Sequence, residues 1–140
     1  MERTEMKAVE YFMQGSACSE SIVQEAIEKG LVPKELLSCA TPFAGGMSSG
    51  CLCGAIAGSQ IVLGYLYGRN NKGGNDVLAR EKAKQLIDEF KKNHKATCCR
   101  VLTAGMNMHS IERKQHCCNM VETCSKILSE LIDDKIIVQK

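Results

Sequence analysis

Nine cysteines in a chain of 140 residues are the residues most able to do chemistry. In an exported chain they would suggest a disulfide framework. Here the number is odd, and the charged opening Met1-Glu2-Arg3-Thr4-Glu5 does not read as a leader. The compartment expected is therefore the reducing cytoplasm, where abundant cysteine points to metal binding or thiol redox chemistry. Spacing narrows the choice. The sequence contains no Cys-x-x-Cys, so it supports neither a thioredoxin-type pair nor a paired-knuckle zinc site, and it lacks the Cys-x-x-Cys-His of covalent haem attachment. Long separations mean that any shared site must draw its sulfurs from distinct elements, unlike the tight runs of bacterial ferredoxins.

The elements that would position these sulfurs are helical almost throughout. Residues 5–14 place Met6, Val9 and Met13 on one face, with Gly15 as a stop. A second helix begins near Ser16 to Ser19, carries Ile22, Val23, Ala26 and Ile27 inward, and ends at Gly30. Pro33 suits the first turn of a short helix bearing Leu36 and Leu37. Residues 41–50, rich in Gly, Pro and Ser, read as loop. A glycine-rich helix follows over 52–67. Asn75 can cap an amphipathic helix with Leu78, Ala79, Leu86, Ile87 and Phe90 on one face, and Lys91, Lys92 and His94 at its negative end. Thr97 can cap a short helix closed by Gly105, and a final helix is expected over 117–134 with Val121, Cys124, Leu128, Leu131 and Ile132 inward. The one extended candidate is the tail Ile136-Ile137-Val138. The fold class expected is all-α: a single domain over 1–140, a bundle of five to seven helices with the glycine-rich helix at its centre.

On this reading Cys18, Cys53, the doublet Cys98-Cys99 and the doublet Cys117-Cys118 each fall in the first turn of a helix. Free N–H groups and the positive end of the helix dipole favour a thiolate there, so such cysteines are expected to be reactive. Convergence of the four helix starts would line one pocket with sulfur. Cys124 and Cys39 recur with core positions and read as small hydrophobes. In the central helix Gly54 and Gly58 are four apart, as are Gly64 and Gly68. Each interior Gly costs roughly 1 kcal/mol against Ala. Close approach of another helix, or of a prosthetic group, would offset that.

Phe43-Ala44-Gly45-Gly46-Met47, then Cys53-Gly54-Ala55-Ile56-Ala57-Gly58, then Leu63-Gly64 and Tyr67-Gly68, closely resemble a family of redox-active proteins with a Cys-Gly-Ala-x-x-Gly motif and four characteristic cysteines. The resemblance covers nearly the whole chain. It implies that Cys18, Cys53, Cys99 and Cys118 are the redox-active or metal-ligating set. The doublets leave open an exchange of Cys98 for Cys99 or Cys117 for Cys118, and Cys51 as a fifth ligand. The split-Soret cytochromes resemble this module, and there it is associated with an iron–sulfur cluster.

Three chemistries follow as expectations. The first is an iron–sulfur electron carrier or redox sensor, with Gly54 and Gly58 admitting the cofactor. The second is a metal-free thiol–disulfide protein, and the third a structural zinc module. No substrate site of an enzyme is recognisable, since no triad, phosphate loop or carboxylate pair is present. The expected partner is another redox protein, and the glycine face is compatible with a homodimer. With a net charge of +2, three Phe, three Tyr and no Trp, neither a nucleic-acid footprint nor a stacking platform is visible. Four glycines, Ser59 and Gln60 interrupt the most apolar stretch, so no membrane span is expected. Two histidine-bearing segments are weaker candidates: Met106-Asn107-Met108-His109 offers soft copper donors, and His116 stands beside Cys117.

Overall fold

A computed structural model describes residues 7–107 and 109–132. Met6, Met108 and the expected extended tail at Ile136-Ile137-Val138 lie outside the described residues. Seven α-helices form among those described, with no strand: α1 (Ala8–Met13), α2 (Cys18–Glu28), α3 (Leu36–Ala40), α4 (Gly54–Tyr67), α5 (Val77–His94), α6 (Cys99–Leu102) and α7 (Ile111–Leu131). The all-α class is as expected. No described helix is long and apolar enough to cross a membrane.

Local chemistry explains most boundaries. Ala17 cannot cap α2 with its own side chain, so Glu20 reaches back and accepts the Ala17 N–H at 2.9 Å. Gly30, at φ +75°, takes the left-handed turn that ends the helix. Ahead of α7, the Ser110 hydroxyl accepts the Arg113 N–H at 3.0 Å, and Glu112 complements the dipole in the first turn. This cap corrects the sequence expectation. The last helix starts at Ile111, not Cys117, and periodicity misses its first turns because residues 111–116 are mostly polar and none is buried.

Helix α4 is the centre of the bundle, with α2, α5 and α7 all against it. It is buried from Gly54 to Ser59 and again at Val62, Leu63 and Tyr67. Its partners contribute Ile22, Val23 and Ala26 from α2, Leu86 and Phe90 from α5, and Val121, Cys124, Ile127 and Leu128 from α7. Leu78, expected inward, is half exposed at the solvent side of the first turn of α5. Met13, also expected inward, is exposed, and Phe12 takes the buried place on α1. Glu25, nearly fully buried, joins three helices: its carboxylate accepts the Ala8 N–H at 2.9 Å and the Ser125 hydroxyl at 2.6 Å.

Gly58 is where α2 and α4 touch most closely. A Cβ there would stand 2.5 Å from the carbonyl oxygen of Ser19 and 3.1 Å from its Cα. Main chain cannot yield as a side chain does. Gly58→Ala should therefore destabilise the fold by about 1–3 kcal/mol, read as a lower midpoint in chemical denaturation. The same contact means that the close approach offered by Gly58 is met within the chain. Gly64, by contrast, faces open space.

Candidate functional site

Three short pieces of backbone bring the sulfurs together. Cys53 is the residue that opens α4, and Cys18 is the first residue of α2. Gly54 permits their approach, because a Cβ at that position would collide with the Cys18 sulfur and stand 2.8 Å from the Phe43 carbonyl oxygen. The third piece is an antiparallel bridge between Leu52 and Cys98, in which the Cys53 N–H donates to Thr97 O at 2.7 Å and the Cys99 N–H to Cys51 O at 2.5 Å. Side chains alternate across such a pair. Cys53 and Cys99 consequently share a face, while Cys98 takes the other and donates its S–H to Gly50 O at 3.1 Å.

Cys99 begins α6, and it is held from the opposite side by an unusual turn. Gly45, Gly46, Met47 and Ser48 are four successive left-handed residues, with φ between +59° and +67°. For Met47 and Ser48 that conformation costs roughly 1–2 kcal/mol each. At Gly46 the reason is steric: a Cβ would come 2.5 Å from the Cβ of Cys99. The turn is closed by the Cys51 N–H donating to Gly46 O at 2.7 Å and by the Ser48 hydroxyl donating to Pro42 O at 3.0 Å.

The fourth sulfur comes from the middle of α7, and it is Cys117. Neighbours on a helix are rotated by about 100°, so Cys117 and Cys118 cannot face the same way. Cys117 turns inward with Arg113 and Met120, the residues four before and three after it. Cys118 turns instead toward α1, where its sulfur lies 3.2 Å from the Met13 sulfur. Neither sits in a first turn, because α7 starts six residues earlier than Cys117.

Cys18, Cys53, Cys99 and Cys117 thus line one cavity of about 160 Å³, whose remaining wall is mostly apolar and includes Phe12, Ala55, Leu102 and Met120. The other cysteines stand apart from it. Cys39 and Cys51 are exposed, which removes Cys39 from the core face it was assigned, and Cys124 is fully buried without lining the cavity. Gly54 borders the cavity, whereas Gly58 does not. His116 donates to Leu102 O at 2.8 Å and so ties α6 to α7. Of the soft copper donors, Met108 lies outside the described residues and His109 donates its N–H to the Asn107 side chain.

Burial outweighs the helix dipole at these sulfurs. Desolvation pushes the Cys53 thiol up to about 12, although the amides of Ile56 and Ala55 oppose it. The Cys18 thiol is also raised by burial, against the amides of Gly45 and Ser19. At Cys117 burial again raises the value, with the Arg113 guanidinium as the leading opposing influence. That guanidinium reaches Cys99 as well, with Nη2 3.9 Å from its sulfur. The expectation of spontaneously ionised, reactive thiols is therefore corrected for Cys18, Cys53 and Cys117. A stability effect follows in the metal-free chain. A thiol raised from 9.0 to about 12 on folding is worth most below pH 9, and its contribution falls as pH climbs toward 12. Denaturation midpoints should decline through that alkaline window, and less steeply in Cys53→Ala.

A family profile described as "Putative redox-active protein (C_GCAxxG_C_C)" matches residues 16–131. The chain belongs to this family. No curated protein and no solved structure matches it. Within this redox-active family member, Arg113 is the site residue that sequence reasoning missed. Its position four before Cys117 was the available signal, hidden by a helix start placed too late.

Proposed function

We propose that the chain is a small electron carrier or redox sensor whose cysteines Cys18, Cys53, Cys99 and Cys117 hold an iron–sulfur cluster. The observation that carries this reading is four thiols, from four separate elements, turned onto one mostly apolar cavity. Thiolate is the ligand form, and buried negative charge needs a compensating cation. Raised pKa values at Cys18 and Cys53 therefore fit sulfurs that ionise only when metal is present. Bound there, a cluster would supply electron transfer, and the chain supplies its setting. Apolar side chains exclude water, Arg113 offsets charge at Cys99 and Cys117, and helix-start amides near Cys53 and Cys18 tune the potential.

Burial weighs against one of the alternatives. Among the described residues no group of three or more His, Cys, Asp or Glu is placed to hold a metal ion, so the reading rests on the cavity the four thiols share, and zinc is separated from a cluster by metal and sulfide content. Metal-free exchange needs an accessible thiolate, and the burial of Cys53 opposes that. Anaerobically purified protein should show broad visible absorption that bleaches on reduction and returns on oxidation. A featureless visible spectrum in both redox states would refute the proposal.

A further inference from the structure

We propose that Cys51 and Cys99 form a reversible cross-strand disulfide when the protein meets a hydroperoxide, withdrawing Cys99 from the sulfur-lined cavity. The bridge hydrogen bonds make Leu52 and Cys98 direct opposites, so that one step along Cys51 lies across from Cys99, whose N–H donates to Cys51 O at 2.5 Å. Opposed residues of an antiparallel pair have Cα atoms about 4.5–5.5 Å apart. A disulfide accepts roughly 4.4–6.8 Å.

Gly46 independently places the Cys51 main chain close to the Cys99 side chain, and the Cys51 thiol, now donating to Ser49 O at 4.0 Å, must turn from that contact to form the link. The single point where its Cβ would stand is 2.5 Å from Cys99 Cβ, 2.7 Å from Cys51 N and 2.8 Å from Cys51 O. Cys98, though adjacent in sequence, is turned to the opposite face and engaged with Gly50 O. Cys51 is exposed, Cys99 half-buried and Cys53 buried, so an oxidant arriving from solvent meets Cys51 first.

The chemistry closes on these two sulfurs and the peroxide. The Cys51 sulfur attacks the hydroperoxide and breaks its O–O bond, giving Cys51 sulfenic acid and an alcohol, or water from hydrogen peroxide. The Cys99 sulfur then attacks the sulfenic sulfur. An S–S bond forms, the S–O bond breaks, and the hydroxyl leaves with the Cys99 proton as water. Two thiols lose two electrons and the peroxide gains them. A dithiol reductant reverses the link by exchange. The linkage stands on the backbone geometry alone. Only its consequence, loss of one cavity sulfur, rests on the four-cysteine reading above.

The test is peroxide treatment of the full chain, alkylation of remaining thiols and mass-spectrometric mapping, in wild type, Cys98→Ser and Cys51→Ser. The dominant peroxide-induced link should join Cys51 to Cys99 in the first two, vanish in Cys51→Ser and be reversed by dithiothreitol. A dominant link from Cys99 to Cys18, Cys53 or Cys117 would overturn the proposal, as would Cys51 oxidising to sulfinic acid while Cys99 stays reduced. Iron analysis on the same samples separates the two readings. The link without iron removes the cluster and leaves the switch; iron without the link does the reverse.

Discussion

Cys53→Ser should yield a folded chain without a bound cluster and without a reversible redox transition. Cys53 opens the central helix, is 5% exposed and lines the cavity beside the Cys18 sulfur, so no other described cysteine can take its place without moving α4. A serine hydroxyl preserves size but is a poor, hard ligand for iron in a sulfur site. The fold should persist, because the core around it is built from Ile22, Ile56, Val62, Leu86 and Phe90. Cys124→Ala provides the contrast. Cys124 is fully buried but does not line the cavity, so truncation should cost about 1–3 kcal/mol of stability and leave the visible spectrum intact. Thermal unfolding together with absorption spectra checks both, and equal effects on the spectrum would contradict the division of roles.

Cys117→Ser and Cys118→Ser should differ as sharply, although the residues are adjacent. The first removes a cavity sulfur that the Arg113 guanidinium acts on, and should abolish the redox transition. The second removes a sulfur directed at Met13, outside the cavity, and should leave absorption and midpoint potential unchanged. Potentiometric titration of the two variants decides the matter. Retained function in Cys117→Ser with loss in Cys118→Ser would mean that α7 is rotated from the register described.

The contrast also shows what was legible in the residues. Periodicity exposed α2, α4 and α5 because each buries a stripe such as Ile22-Val23-Ala26 or Leu86-Phe90. Cysteine at helix starts drew attention to Cys18, Cys53 and Cys99, which the structure places on one cavity. The start of α7 was not legible, since residues 111–116 are mostly polar and carry no buried residue. With that start misplaced, helical rotation could not choose between Cys117 and Cys118, and Arg113 lay outside the helix altogether.

Two further features depend on tertiary contacts that local sequence does not contain. Gly54 and Gly58 look equivalent by spacing, yet one meets the Cys18 sulfur and the other the Ser19 backbone. Dipole reasoning anticipated lowered thiol pKa values, but the apolar wall assembled by α1, α4, α6 and α7 supplies a larger opposing effect. The left-handed turn at 45–48 was legible only as loop. Its two glycines hint at positive φ, whereas Met47 and Ser48 adopt it under the constraint of the bonds from Cys51 and Ser48 that close the turn.

Iron and acid-labile sulfide, measured per chain on protein isolated without oxygen, bear on the cavity most directly. Both elements should be present in comparable amounts in the wild type and be lost together when Cys18, Cys53, Cys99 or Cys117 is replaced by serine. Wild-type chain that is fully folded yet free of iron and sulfide would contradict the assignment.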